Sequence, residues 1–363
     1  MRIGVDAREL GGRSTGVGRY LSSLLAAWAG DPRARAHEFL LYSPEPLPAP
    51  WASGAQPFTI RVVAGDGGTL WEQMHLRRAA ARDGLDVFFA PGYSAPLALA
   101  VPRVVAIHDV SFAAHPEWFR AREGLRRRWL ARQSAAGACA VITISEFSRR
   151  ELVEHLGVAD ARIRVIPPGV APAAPSPARE PGERVLYVGS IFNRRHIPDL
   201  IRAFAALARR HDRVALDLVG ENRTHPHEDL AHVMQSERIE HRVRWRSYVS
   251  DEELQELYAS AGAFAFLSEY EGLGLTPLEA LAAGVPPLLL ETPIARESCQ
   301  DAALYVTAGD ISGITGALER LLFDQALRSR LLAAAPGVLA RYDRARAAAD
   351  TLSVLETCAG RDR

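Results

Sequence analysis

The chain predicts two doubly wound α/β domains, each a parallel sheet covered by helices on both faces. Short, almost uninterrupted apolar runs alternate with amphipathic helical patterns along most of the 363 residues, and strands buried on both faces read as such runs. A stretch from Pro167 to Glu183 holds six prolines and no periodicity, and the same rhythm restarts after it. The length suits two domains of ordinary size, and 48% hydrophobic residues supply a core for each.

The elements follow in order. Arg2–Val5 opens as a strand, and MRIGVDAREL lacks the long apolar core of a signal peptide, so a cytoplasmic location is expected. Val17–Ala29 has helical spacing, and strands Glu38–Tyr42 and Thr59–Val63 follow it. Trp71–Arg82 reads as a helix before the strands Val87–Ala90 and Arg103–His108. Helices Arg120–Ala136 and Phe147–Leu156 flank Ala140–Ile144, and Arg164–Ile166 closes a first domain over 1–170. A linker over 171–183 leads to a second domain over 184–343. There, strand Arg184–Ser190 is followed by a helix over Pro198–Arg210 with proline at its first position. Ala215–Gly220, Arg242–Trp245, Ala263–Leu267 and Val285–Leu290 read as strands. Ser250 with Glu253 has capping-box spacing, which predicts a helix over Asp251–Ser260.

Composition excludes several chemistries. Basic and acidic residues number 43 each, and that neutral balance argues against a protein that coats nucleic acid. No lysine occurs, so a Schiff-base lysine and a GxxxxGK[ST] phosphate loop are both impossible. Any anion must be met by Arg, His or backbone N–H. Cys139, Cys299 and Cys358 are scattered, without CxxC spacing, and are expected to stay unpaired in a reducing compartment. No D-x-D and no His/Cys ligand spacing occurs, so no metal is expected to be required. No run approaches 18 apolar residues, so no membrane span is expected.

The segment Leu267–Pro287, LSEYEGLGLTPLEALAAGVPP, carries the chemistry. A strand ends near Leu267, a glycine-containing loop follows, and Thr276–Pro277 reads as the start of a helix. Thr276 as N-cap, Pro277 at the first position and Glu279 as the capping-box acid account for half of this pattern. They leave Glu271 unexplained. A carboxylate beside Gly272 and Gly274, at a strand-to-helix turn, stands where backbone N–H groups and the helix dipole attract an anion. Two carboxylates beside free N–H groups suit a ligand with both a phosphate and sugar hydroxyls.

Glu271 and Glu279 form an E-x7-E pair within EGLGLTPLEALAAGVP, which resembles the signature of the family-four retaining glycosyltransferases. Companion segments stand in the family's order: GVGRYL (16–21), LWEQ (70–73), AIHDVSF (106–112), ISEFSRREL (144–152), VIPPGV (165–170), VGSIFNRRHIPDLIRAF (188–204) and YVSDEEL (248–254). The resemblance covers nearly the whole chain. It implies the GT-B architecture, two Rossmann-like domains facing a central cleft, with a last helix over about 344–358 packing back on the first domain.

It also implies roles. Glu279 binds the nucleotide ribose, Glu271 reaches donor-sugar hydroxyls, and the backbone of Gly272, Leu273, Gly274, Leu275 and Thr276 approaches sugar and diphosphate. Arg195, where similar enzymes usually have lysine, and Arg194 before it meet the diphosphate. Ser190 stands where many members have a further arginine. Gly16 and Gly18 open a helix whose preceding loop faces the donor phosphate or the acceptor. Leu21 occupies the place of the third glycine of a dinucleotide fingerprint, which disfavours a nicotinamide enzyme. His108 acts in sugar positioning or proton handling, and Asp109 lies on the acceptor side.

The function so implied is hexose transfer from a nucleotide-diphosphate sugar to a hydroxyl of a glycan or lipid-linked glycan, by same-face attack and without metal. IHDVSFAAHPEWF and LWEQ look most like mannosyl-type enzymes of polysaccharide assembly, which favours GDP-mannose over UDP-sugars. The rival reading, a non-catalytic GT-B module, would be expected to have lost Glu271, Arg195 or His108; this chain keeps all three. The basic stretch Trp118–Gln133 carries Trp118, Phe119 and Trp129 among its arginines. It reads first as a helix with aromatics inward, and second as a peripheral contact for anionic membrane or a lipid-diphosphate acceptor.

Overall fold

A computed structural model describes residues 1–11, 16–51, 57–170 and 182–360. The chain divides into two compact units, Met1–Gly169 with Tyr342–Arg363, and Val170–Arg341. Most of the expected linker, 171–181, lies outside the described residues.

The first unit is a seven-stranded sheet: β1 (Arg2–Asp6), β2 (Glu38–Ser43), β3 (Phe58–Val62), β4 (Val87–Ala90), β5 (Arg103–Ala106), β6 (Ala140–Thr143) and β7 (Ile163–Val165). Its order is β3-β2-β1-β4-β5-β6-β7, and every pairing is parallel. The inner strands are largely apolar because successive side chains enter two different cores. Phe39, Leu41 and Phe89 pack on one face with Leu21, Leu25 and Trp28. Leu40, Tyr42 and Phe88 pack on the other with Leu76 and Leu152. The period-two alternation of the strand places neighbours on opposite faces.

The helix Arg344–Ala359 belongs to this unit and completes its first core with Leu352 and Leu355. The Trp28 indole N–H donates to Ala348 O at 2.9 Å, closing that contact with a polar tie. This return also brings together two of the cysteines expected to be unpaired. Cys358, near the helix end, is bonded to Cys139, just before β6, while Cys299 is free and buried. The pairing joins positions 219 apart in sequence, so only the tertiary course of the last helix makes it possible.

The second unit holds β8 (Arg184–Val188), β9 (Ala215–Val219), β10 (Val243–Arg246), β11 (Ala263–Phe266), β12 (Pro287–Leu290) and β13 (Leu304–Val306). Their order is β10-β9-β8-β11-β12-β13, again all parallel. Read within the unit this is 3-2-1-4-5-6, the doubly wound order whose strand sequence reverses beside its first strand. The reversal lies between β8 and β11, so the loops after those two strands flank the crevice where such sheets hold ligands. A buried carboxylate, Asp217 on β9, ties the adjacent edge by ion pairs to Arg184 (2.9 Å) and Arg246 (3.0 Å). Ser250 caps the helix Asp251–Ser260, its side chain accepting from Glu253 N–H at 3.2 Å, while the Glu253 carboxylate pairs with Arg246 instead of closing the box. Among the described residues no helix is long and apolar enough to cross a membrane.

Candidate active site

The loops after β8 and β11 meet through consecutive residues. After β8 the chain passes Gly189 and makes a short 3-10 turn, Asn193–Arg195, before the helix Ile197–Ala208. Arg195 donates from Nε (3.0 Å) and Nη2 (2.8 Å) to Glu271 Oε1, and from Nη1 to Ser190 O at 2.7 Å. Its guanidinium lies over the Phe266 ring, 4.8 Å from the centroid. The side chain is only 12% exposed. Burial opposes its charge, but Glu271 and the Tyr187 hydroxyl outweigh that and raise the guanidinium above its ordinary value. Gly189 is required here: φ is 144°, and a Cβ would stand 2.6 Å from Arg195 Nη1. Arg194 stacks on Phe192 at 4.4 Å and donates from Nε to Tyr270 O at 3.3 Å.

Glu271 therefore sits against Arg195, with Ser268 Oγ adding a third donor to the same Oε1 at 2.8 Å. Its second oxygen accepts no hydrogen bond among the described residues. A guanidinium has five N–H donors; two are spent on Glu271, one on Ser190 and one, at 3.5 Å, on the Tyr187 hydroxyl, so one remains for an oxyanion. The pair is thus anchored and still able to bind.

The next helix starts two residues earlier than expected. It spans Leu275–Ala282, its N-cap is Gly274 at φ 85°, and no side chain caps it. Thr276 is thus inside the helix, and Glu279 is its fifth residue, beyond reach of a capping box. The left-handed conformation of Gly274 bends the chain into the helix without a hydroxyl cap. The first-turn N–H groups of Leu275 and Thr276 have no intrahelical acceptor. Uncapped N–H groups at the positive end of a helix favour an anion. Glu279 is half-buried one turn further on, with the Tyr258 hydroxyl 3.5 Å from its Oε2.

In the first unit His108 follows β5 and is buried between Tyr20 and Tyr93, with ring centroids 4.7 and 5.7 Å away. Nε2 lies 2.7 Å from Pro91 O. A carbonyl can only accept, so Nε2 carries the proton and Nδ1 is the free acceptor. Burial lowers the pKa of the ring, which keeps it neutral near pH 7. Asp109 is held by three donors: Ser111 N–H (2.9 Å), Ser111 Oγ (2.7 Å) and Tyr93 OH (2.8 Å). It orders the wall around His108. Gly16 begins the helix Gly16–Gly30 and Gly18 is buried within it, while residues 12–15 of the preceding loop lie outside the described residues.

Three features escaped the sequence reading. At the end of β1, Arg8 pairs with the buried carboxylates of Asp6 and Glu72 (2.7 Å to Glu72), and Ser94 Oγ donates to Glu72 at 2.8 Å. The LWEQ segment carried half of that cluster, but nothing local paired it with Arg8. Tyr93 has φ 68°, a left-handed conformation unusual outside glycine, and the Pro91-Gly92 turn before it was the available signal. His196 has φ 47° and lies beside Asp199 and Glu269. In the basic stretch, the helix Ala121–Ala136 turns Trp129 outward (56% exposed) with Leu125 (69%), contrary to the inward packing expected first. One three-residue group with metal-ligand spacing occurs among the described residues, Glu151, Glu154 and His155 on the surface of the helix Glu146–Leu156.

Comparison with known proteins gives a consistent picture. Residues 14–174 match the family described as Glycosyltransferase Family 4, and residues 173–337 match Glycosyl transferases group 1. O-antigen chain mannosyltransferase B of Escherichia coli is 28% identical over 274 residues, 70% of this chain and 71% of that protein. A GDP-mannose-dependent alpha-(1-6)-phosphatidylinositol monomannoside mannosyltransferase of Mycobacterium tuberculosis is 28% identical over 351 residues, 86% of this chain and 87% of that one. Among solved structures, Anabaena HepE in complex with UDP and glucose aligns with a TM-score of 0.75 at 17% identity. It covers 98% of this chain and 99% of that one, a likeness of fold.

Proposed function

Because the chain belongs to the family-four, group 1 glycosyltransferases of the GT-B architecture, we propose that it moves a hexose from a nucleotide-diphosphate sugar to a hydroxyl of a glycan or lipid-linked glycan, with retention of configuration. Mannose from GDP-mannose is the favoured donor. Two relatives bear mannosyltransferase names, one of them GDP-mannose-dependent. The observation that carries the reading is the Arg195–Glu271 pair beside the uncapped helix start at Gly274.

In this reading the diphosphate lies against the spare donor of Arg195, the guanidinium of Arg194 and the N–H groups of Leu275 and Thr276. The backbone of Gly272 and Leu273 lines the sugar side. Charge grows on the departing diphosphate as the anomeric carbon becomes oxocarbenium-like, and fixed donors stabilise that charge without rearrangement. The leaving phosphate oxygen then takes the proton of the acceptor hydroxyl, which attacks from the face it leaves. Glu279 accepts from the ribose hydroxyls, and the free oxygen of Glu271 accepts from the donor sugar. In the first unit His108, neutral, offers Nδ1 as a hydrogen-bond acceptor suited to a sugar hydroxyl. Arginine and helix-end dipoles supply the charge neutralisation for which other enzymes use a divalent ion, so no metal is required.

A thermal-shift panel tests this reading. With EDTA present, GDP, UDP, ADP and dTDP and their hexose forms are added to the wild type. Ligand at about 100 times its Kd stabilises by about 2.7 kcal/mol. The expected outcome is a clear upward shift with GDP and GDP-mannose. Shifts only with UDP compounds would overturn the donor assignment, and no shift with any nucleotide would overturn the reading.

The outward face of the helix Ala121–Ala136 extends it to the acceptor. Leu125 and Trp129 stand one turn apart, with Arg122, Arg126, Arg128 and Arg132 all exposed on the same helix. Apolar anchors among arginines suit the boundary of an anionic bilayer, where each arginine adds about 1 kcal/mol. The enzyme then works on lipid-linked acceptors as a peripheral protein. The wild type is expected to float with vesicles containing phosphatidylglycerol, and the Leu125→Ser/Trp129→Ser double variant to remain in the dense fraction. A wild type that does not float contradicts this extension.

A further inference from the structure

We infer that His196 is a positioning residue that holds the diphosphate-binding arginines in register with the loop carrying Glu271; the inference rests on the donor reading above. The first indication is backbone strain. His196 lies at φ 47°, ψ 41°, the left-handed region that glycine enters freely and a histidine enters at a cost. It is the residue preceding the helix Ile197–Ala208, and it makes no side-chain cap there. Glycine would serve the turn better, so the imidazole is kept for what it touches.

What it touches is the opposite loop. Nε2 lies 2.8 Å from Glu269 Oε1, a close polar contact outside hydrogen-bond geometry, and Nδ1 lies 3.3 Å from Asp199 Oδ2. Glu269 in turn donates its N–H to Arg194 O at 3.0 Å. Three consecutive residues of one loop thus engage three consecutive residues of the other: Arg194 with Tyr270, Arg195 with Glu271, and His196 with Glu269. The far side of the turn is pinned as well, with Asn193 Nδ2 donating to Pro226 O at 3.0 Å and Asn193 Oδ1 accepting from His225 N–H at 2.6 Å. Asp199 is steadied by Arg202 at 3.0 Å.

The outer rungs matter because the central one has two duties. Arg195 must hold Glu271 and keep its remaining donor aimed at a phosphate. A single ion pair leaves both loops free to pivot about it, whereas a second polar contact one residue away fixes their relative rotation. A displacement of about 1 Å at such a group can cost about 10²-fold in rate. Neither His196 nor Glu269 needs to touch the substrate for this.

The variant His196→Gly separates the roles because it relieves the strain while deleting the contact. The expected result is a melting temperature at or above that of the wild type, with kcat reduced on the order of tenfold or more and donor KM changed less. Glu269→Gln should lower kcat in the same direction, and the double variant should be no worse than His196→Gly alone, as residues acting through one contact are non-additive. A histidine that served only the fold would show a lower melting temperature with an unchanged kcat, and that result overturns the inference. Wild-type kcat and KM in His196→Gly overturn it too. If Arg195→Ala is inactive while His196→Gly is fully active, the donor reading stands and only this inference fails. If Arg195→Ala is fully active, the donor reading itself fails.

Discussion

Arg195→Ala is expected to lower kcat for sugar transfer by roughly 10²–10³, the usual cost of removing one preorganised donor to a developing anion. Three properties of the site make the effect large. The guanidinium is buried, so the field it exerts is weakly screened. It is held by Glu271, Ser190 and the Phe266 ring, so in the proposed reaction it would need no reorganisation as charge develops on a diphosphate. No lysine exists anywhere in the chain to stand in for it. Arg195→Lys should keep part of the donor affinity but lose rate. A movable point charge cannot bind Glu271 with one edge and a phosphate with the other, as a planar fork can. Steady-state kinetics check both variants, with melting curves read alongside because either change disturbs the partner of Glu271. An Arg195→Ala enzyme within threefold of wild-type kcat contradicts the assignment.

Trp28→Ala is expected to destabilise the first unit by about 3–5 kcal/mol, as for other large-to-small changes in a packed core. Trp28 is fully buried, stacks on Phe39 at 5.0 Å, and donates to Ala348 O in the last helix. The change opens a cavity and strips an acceptor of its partner at the same point. Because that helix enters from the far end of the chain, the loss should also loosen residues 344–359. Urea unfolding followed by hydrogen exchange of that helix measures both. A loss below about 1 kcal/mol with unchanged exchange contradicts the packing of the last helix on this unit.

Particular residues show what could be read beforehand. The fold class was legible because its strands bury both faces: Phe39 to Tyr42 must all be apolar when alternate residues enter separate cores. β13, with three residues, is too short to show a pattern. The helix start near Thr276 was misplaced because threonine before proline is a good cap on paper, while the conformation of Gly274 ends the loop two residues sooner. The Cys139–Cys358 bond joins residues that only the course of the last helix brings together. Likewise His196 and Glu269 are ordinary polar residues in sequence, and their contact exists only because β8 and β11 are neighbours in the sheet. The E-x7-E segment stands out in the sequence only by resemblance, while the ion pair of Glu271 with Arg195 is visible only in the fold.

The claim at the centre is that the loops after β8 and β11 hold a nucleotide-diphosphate sugar. Its most direct test is the binding of GDP by calorimetry, with EDTA present, to the wild type, Glu279→Ala and Arg195→Ala. The wild type is expected to bind, Glu279→Ala to bind at least tenfold more weakly through loss of the ribose contact, and Arg195→Ala to be weakened through the diphosphate. Equal affinity in all three proteins would contradict it, because the nucleotide would then lie elsewhere.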